Sequence, residues 1–250
     1  METFDCRVMT YNIHGCVDAN GDVNSPKFIK ILRELDADIV ALQEVDAEKP
    51  MGKNRNQAKI IGEALDLDYI YFPVEERKPH HFGLAVLSRF SFLKICCDHL
   101  PNLYPKLDLR KRGAIRASID TPAGIMHIVN THLSIFKLER RKQLNALLTK
   151  SRPWAVAENE PMILCGDFNA GPSSATYKEV SKHLIDIQSI SNKSSVLKAT
   201  FHSKSPVFQF DHIFVSSHFT VLNAEVKCTP DTKTASDHLP LIAELAVKRM

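Results

Sequence analysis

Short apolar runs separated by polar turns recur along the chain with two different periods. Runs at 5–12, 38–43, 68–74, 82–88, 113–120, 125–132, 161–166, 211–216, 219–228 and 240–247 have the length and composition of strands. Ser25-Pro26 reads as an N-cap followed by proline in the first helical turn, after which Phe28, Ile31, Leu32 and Leu35 share one helical face. A second helix is predicted over 55–65 with Ala58, Ile61 and Leu65 inward, and a third over 137–150 with Leu144, Leu147 and Leu148 inward. A fourth runs from a cap at Ser173 or Ser174 to residue 182. Thr121-Pro122-Ala123-Gly124 reads as a hairpin turn. Because several strands follow one another directly, an alternating parallel sheet fits poorly. The pattern predicts an α/β fold of two stacked mixed sheets flanked by helices, as a single domain over 1–250 with no internal repeat.

Composition narrows the class. With 250 residues, 44% hydrophobic and 24% charged, the chain can bury a large core and is neither disordered nor fibrous. A net charge of +3 helps an anionic substrate approach without by itself marking a nucleic-acid binder. Six cysteines form no CxxC pair, and Cys6, Cys165 and Cys228 lie in strand-like runs, which argues against a disulfide framework. No apolar stretch is long enough to span a bilayer, and Met1-Glu2-Thr3-Phe4-Asp5 is no apolar leader. The expectation is a reduced, cytoplasmic, monomeric enzyme.

Four segments end hydrophobic runs with reactive groups: Met9-Thr10-Tyr11-Asn12, Ala41-Leu42-Gln43-Glu44, Leu164-Cys165-Gly166-Asp167-Phe168-Asn169 and Ser236-Asp237-His238-Leu239-Pro240. Singly, each has an ordinary explanation. Glu44 reads as a solvated carboxylate at a strand end, Asn12 as a turn residue, Asp167 and Asn169 as a local Asp-x-Asn turn, and His132 as a hydrogen-bonded structural histidine. Together they offer the hard oxygen ligands and imidazole that metal-assisted attack on a phosphoester requires.

Seven segments in order, TYNIHG (10–15), LQEV (42–45), FGLAVLSR (82–89), NTHLS (130–134), GDFNAGPSS (166–174), FDHIFVS (210–216) and SDHLP (236–240), resemble the endonuclease/exonuclease/phosphatase superfamily. That group includes DNase I-like nucleases, AP endonucleases, neutral sphingomyelinases, deadenylases and inositol-polyphosphate 5-phosphatases; the YNIHG, LQEVD and GDFNAGPSS wording here is similar to its small bacterial members and to its sphingomyelinase and deadenylase branches. The resemblance implies a four-layered α/β sandwich and a Mg²⁺ site, with Mn²⁺ as a substitute and one or two ions. By the same resemblance Glu44 is the principal metal ligand, Asn12 supplies an amide to the metal or its water, and Asp237 is a metal-site carboxylate. Asp167 orients or deprotonates the attacking water or holds a second metal, while Asn169 hydrogen-bonds the phosphate. His132 reaches the non-bridging phosphate oxygens, and His238 stands at the scissile phosphate as charge stabiliser or proton donor, oriented by Asp211.

Substrate is harder to read. Arg110-Lys111-Arg112 precedes a strand where relatives place phosphate contacts, making Arg112 a substrate-binding candidate, with Asn130 a second one that also supports the site. Arg140, Arg141 and Lys142 are assigned mainly to the solvent face of their helix. His212 is read as a packing residue, His80-His81 as lying near the cleft, and Glu75-Glu76-Arg77-Lys78 as a solvated loop. AP endonucleases carry a lysine where Asp46 stands, and have DNA-facing aromatic loops that a single Trp154 matches poorly; 5-phosphatases show GDLNYR and PAWCDR in place of GDFNAG and QFDHIF. The expectation is a Mg²⁺-dependent phosphodiesterase with nucleic acid preferred. The alternatives are a phospholipid or sphingomyelinase-type phosphodiesterase, for which Phe90-Ser91-Phe92-Leu93 is the segment to inspect, and a non-catalytic phosphate-binding module. Such a module would be expected to have lost Glu44, Asp167 or His238, and it has all three.

Overall fold

Two mixed β-sheets pack face to face between outer layers of helix in this computed structural model, which describes residues 3–48, 55–77, 80–105, 110–151, 158–190 and 198–248. In chain order the elements are β1 (Thr3–Asn12), α1 (Ser25–Leu35), β2 (Ile39–Glu48), β3 (Arg55–Asn56), α2 (Gln57–Leu65), β4 (Asp68–Arg77), β5 (His80–Ser88) and β6 (Phe92–His99). They continue with β7 (Gly113–Thr121), β8 (Gly124–His132), α3 (Lys137–Ser151), β9 (Met162–Asp167), α4 (Ala175–Val180), β10 (Ile185–Asp186), α5 (Ile187–Ile190), β11 (Asp211–Val215), β12 (Phe219–Val226), α6 (Pro230–Ala235) and β13 (Leu241–Lys248). The first sheet runs β12-β13-β1-β2-β5-β4, with β3 paired to β2, and the second runs β10-β11-β9-β8-β7-β6. Each sheet holds one parallel pair, β1 with β2 and β8 with β9; its other pairs are antiparallel.

Strand alternation builds the four layers. Val8, Ile39 and Ala41 of the first sheet meet Ile115, Ile128, Ile163 and Ile213 of the second in the central core. Their neighbours Met9, Tyr11, Val40 and Leu42 turn outward against Phe28 and Ile31 of α1 and Ile61 of α2. On the other side Val129, Leu164 and Phe214 pack on Leu144 and Leu147 of α3. Strands buried on both faces read as continuous apolar runs, which is why the central ones were visible in the sequence.

Several elements differ from the sequence expectation. Asn24, not Ser25, caps α1, its side chain accepting from Lys27 N at 3.2 Å. Asn56 caps α2 and Ser174 caps α4, which ends at Val180. The 75–77 segment belongs to β4 and is not a solvated loop; the Glu75 side chain is buried. Arg140 is buried too, against the solvent assignment of its helix face, while Arg141 and Lys142 are exposed. β6 escaped notice because it is an edge strand: Leu93 and Ile95 are 54% and 50% exposed, flanking an exposed Lys94, with a register slip between Phe92 and Lys94. Phe90 and Phe92 pack partly on the central core, so the 90–93 segment exposes one apolar side chain strongly and forms no anchor. Among the described residues no helix is long and apolar enough to cross a membrane. Trp154 and Lys78 lie outside the described residues.

Candidate active site

Parallel pairing sets the place of the site. Asn12, His132 and Asp167 end β1, β8 and β9, and Glu44 follows Gln43, the last residue of β2 paired with β1. Asp211, the first residue of the antiparallel β11, stands opposite Asp167, and β13 starts with Leu241 opposite Thr10. The 236–240 loop therefore opens on the same end of the sandwich.

Glu44 does not end its strand. Gln43 pairs with Leu84 and Val45 with Gly83, leaving Glu44 unpaired at a bulge with φ +53°. Leu42 and Val45 both face the helical layer, which regular alternation forbids; the extra residue turns the Glu44 carboxylate out of the sheet and toward the site. A left-handed backbone on a non-glycine residue costs free energy, and its location here is characteristic of functional positions.

Asn12 spans the two sheets. Its Nδ2 lies 3.4 Å from Glu44 Oε1 and 3.1 Å from Asp167 Oδ2, while its Oδ1 accepts from His14 N at 3.1 Å. Ser236 Oγ donates to Asn12 O at 2.7 Å and accepts from His238 N at 3.2 Å, tying the 236–240 loop to β1. Asn169 N donates to Asp167 Oδ1 at 2.8 Å, and Asn169 Nδ2 reaches His132 Nε2 at 3.1 Å and Leu133 O at 3.0 Å. His132 Nε2 is 3.3 Å from Asp167 Oδ2. Asp211 Oδ2 meets His238 Nδ1 at 2.7 Å, which leaves His238 Nε2 directed at Asp167 Oδ2, 3.6 Å away.

Protonation follows from these contacts. Burial opposes ionisation of Glu44, but the His14 hydrogen bond and the charges of Arg110 and Arg112 outweigh it and hold the carboxyl well below the usual range. Burial lowers His132 strongly, with the Arg112 charge adding to it, so this ring is neutral. Burial would lower His238 as well, yet Asp211 and Asp167 push it up to about 10, giving a buried imidazolium. Burial, helped by the Asp211 charge, pushes Asp167 up to about 6 against the pull of His238.

Hard oxygen donors converge near Glu44. The ring Nδ1 of His14 sits 3.5 Å from Glu44 Oε2 and 3.7 Å from Asp237 Oδ1, so both carboxylates face one point that already attracts positive charge. Arg110 adds an ion pair to Glu44, its guanidinium 4.7 Å above the Phe82 ring. An ionised Glu44, a partly exposed Asp237 and the Asn12 amide suit a divalent hard cation. Asp167, Asp211 and His238 also offer ligand atoms within 4.8 Å of one another, but two of the three are already hydrogen-bonded to each other. This second cluster is arranged to hold a proton.

Most of the anticipated residues meet at this mouth: Asn12, Glu44, His132, Asp167, Asn169, Asp211, Asp237 and His238 are linked by the contacts above, and Arg112 lines the adjoining cleft with Glu44, Phe82 and His132. Asn130 does not reach it. Its Nδ2 donates to Leu42 O at 2.9 Å and Ala85 O at 2.8 Å while its Oδ1 accepts from Gln43 Nε2 at 2.8 Å, so this fully buried amide bridges the two sheets in place of the expected substrate contact. His212 is buried, its Nε2 donating to Ala170 O over 2.8 Å. His14 and Ser236 lie within sequence motifs that assign them no role, and Arg110 is marked in the sequence only as part of the basic run 110–112. Two aromatic residues on the rim, Phe201 and Phe208, carry no sequence signal: Phe208 stacks on Phe210 at 5.2 Å, and Phe201 lies 4.9 Å from His238.

A family model described as Endonuclease/Exonuclease/phosphatase family matches residues 9–238. Among solved structures, an endonuclease/exonuclease/phosphatase from Beutenbergia cavernae superposes with a TM-score of 0.82 at 22% identity, over 98% of this chain and 72% of that one. A mannosyl-6-phosphatase from Bacteroides thetaiotaomicron gives 0.78 at 25% identity, over 96% and 99%. The human Nocturnin catalytic domain gives 0.75 at 21% identity, over 99% and 97%.

Proposed function

Because the chain belongs to the endonuclease/exonuclease/phosphatase family, whose members are hydrolases of phosphoester bonds, we propose that it hydrolyses phosphodiesters with Mg²⁺, or Mn²⁺ in its place, held by Glu44, Asp237 and Asn12. One observation carries this reading: Asn12 touches both Glu44 and Asp167, and His238 points at Asp167 from 3.6 Å, so cation ligands and proton-handling groups share one opening. The cation, when bound, polarises a phosphoryl oxygen and neutralises developing charge. Burial raises the Asp167 carboxyl above the usual carboxylate range, which makes its carboxylate a stronger base toward water, and Asn169 fixes its orientation. His132 contacts a non-bridging oxygen, and the imidazolium of His238 stabilises the pentacovalent transition state or protonates the leaving oxygen.

Nucleic acid is the preferred substrate: Phe201, Phe208 and Phe210 give the rim ring faces on which bases stack, and Arg110 and Arg112 flank the cleft. A phospholipid reading draws on the exposed Ile135 and Leu138 on either side of Lys137, close after His132. The test is a Mg²⁺ and Mn²⁺ activity panel with single- and double-stranded DNA, abasic-site DNA, RNA, sphingomyelin, phosphoinositides, a sugar monophosphate and a chromogenic phosphodiester. Asp167→Ala serves as the control. Cleavage of a phosphodiester above that control is expected, and its absence across the panel would leave a phosphate-binding module. His132→Ala should lower turnover about 10²-fold or more with the fold retained by circular dichroism; near-normal turnover at saturating Mg²⁺ would remove His132 from the mechanism.

A further inference from the structure

A second anion-binding environment lies beside the mouth, in a groove of about 740 Å³ between α3 and α4 lined by Lys137, Arg140, Arg141, Ser173, Thr176 and Glu179, among others. Its central group is Arg140. Though 8% exposed, this guanidinium is fixed by protein acceptors on one side only: Nη1 donates to Ser134 O at 2.8 Å and Ile135 O at 3.1 Å, and Nε to Thr176 Oγ1 at 3.4 Å. Nη2 takes no acceptor among the described residues, and Arg140 lines the groove. Holding a guanidinium this way removes most of the side-chain entropy that binding an anion would otherwise cost. Lys137 and Arg141 add two exposed cations, and the one acidic residue among the lining named above, Glu179, is occupied by Lys182 at 2.6 Å. The segments that line and support the groove lead directly out of the candidate active site. Ser134 and Ile135 follow His132 by two and three residues, Ser173 follows Asn169 by four, and the Arg140 guanidinium feels the Asp167 charge.

We infer that this groove is a second phosphate subsite, binding a phosphodiester of the same polynucleotide strand next to the one held at His132 and His238. The inference rests on the nucleic-acid reading above. It makes affinity depend on strand length: a dinucleotide or a chromogenic phosphodiester fills the mouth alone, whereas an oligonucleotide also engages Lys137, Arg140 and Arg141.

The test measures binding apart from cleavage. Fluorescence anisotropy of a labelled single-stranded decanucleotide, without divalent cation, is recorded over a range of salt for the wild-type chain and for Lys137→Gln/Arg141→Gln, two exposed sites whose replacement leaves the core intact. Loss of two phosphate contacts should weaken binding about tenfold or more at low salt and reduce the slope of log affinity against log salt by about 1.4. Lys59→Gln/Lys30→Gln removes the same charge elsewhere and should leave both quantities in place. In turnover, the ratio of kcat/KM for the decanucleotide to that for the chromogenic diester should fall with the groove variant. Unchanged affinity and slope in that variant overturn the subsite, as does equal weakening by the distant pair. Inorganic phosphate matching the decanucleotide in affinity, or preferential capture by anionic phosphatidylglycerol vesicles, overturns the polynucleotide assignment. Failure of chromogenic hydrolysis sinks the phosphodiesterase proposal separately, since the anisotropy needs no catalysis.

Discussion

Asp211 sits at 2.7 Å from His238 with no exposed surface, and its other oxygen, Oδ1, has no hydrogen-bond partner among the described residues. Its charge is therefore concentrated on the imidazole. Burial lowers the affinity of His238 for a proton, but Asp211 and Asp167 raise it to about 10, and the sign of the stability contribution follows. A histidine whose folded value is raised contributes stability that is complete below about 6.5 and lost as pH rises through about 10. Asp211→Asn should bring the His238 titration down from about 10, because desolvation then acts with less opposition; the ring proton shifts in NMR spectra of the cation-free protein report it. Titration still near 10 in that variant would assign the charge on His238 to another source. At this scale the motif spelling carried a great deal, since Asp211 and His238 are both embedded in it. His14 and Arg110 were legible only as letters, because what they touch depends on a backbone distortion that no local pattern announces.

Elements position these groups through a few irregularities. Gly166 precedes Asp167 with φ +135°, and a Cβ there would lie 1.9 Å from Thr131 O on the neighbouring β8. Gly166→Ala should destabilise the protein by about 3 kcal/mol or more, combining backbone strain with a clash that shifts β8 against β9. Gly171→Ala, whose Cβ would meet Gln209 O at an ordinary 3.6 Å, is the comparison and should be close to neutral in the same urea titration. A shift of less than about 1 kcal/mol for the first variant would contradict the close approach. Central strands and the amphipathic helices were legible because burial on both faces, or on one helical stripe, leaves a periodic apolar mark. β3, β10 and α5 are two to four residues long and leave none, and β6 is masked by its exposed side chains. The continuation of β2 beyond Glu44 was hidden for a related reason, because a bulge breaks the alternation by which strands are recognised.

For the whole molecule, the mouth is shared between two sheets: Asn12 and Glu44 come from one, and His132, Asp167 and Asp211 from the other. The buried Gln43–Asn130 bond fixes the distance between them. A cation held at Glu44 therefore stabilises the folded assembly and not the unfolded chain. Mg²⁺ or Mn²⁺ at about 100 times its dissociation constant should add about 2.7 kcal/mol, raising Tm by roughly 5 to 10 °C. Glu44→Gln should abolish that rise while leaving the cation-free Tm within a few degrees, and an undiminished rise would locate the cation elsewhere. The two-sheet architecture was foreseeable from direct strand-to-strand connections, whereas the bridge between the sheets was not, since an asparagine in a strand motif says nothing about what lies across the core. The same open-ended sheets bear on encounters between copies. Where β6 closes the second sheet, Leu93 and Ile95 offer a sticky backbone-and-side-chain border that another molecule could extend. The displaced register at Leu93 and the ammonium of Lys94 are its gatekeepers, so solubility at high concentration hangs on one lysine and one misaligned residue far from any chemistry.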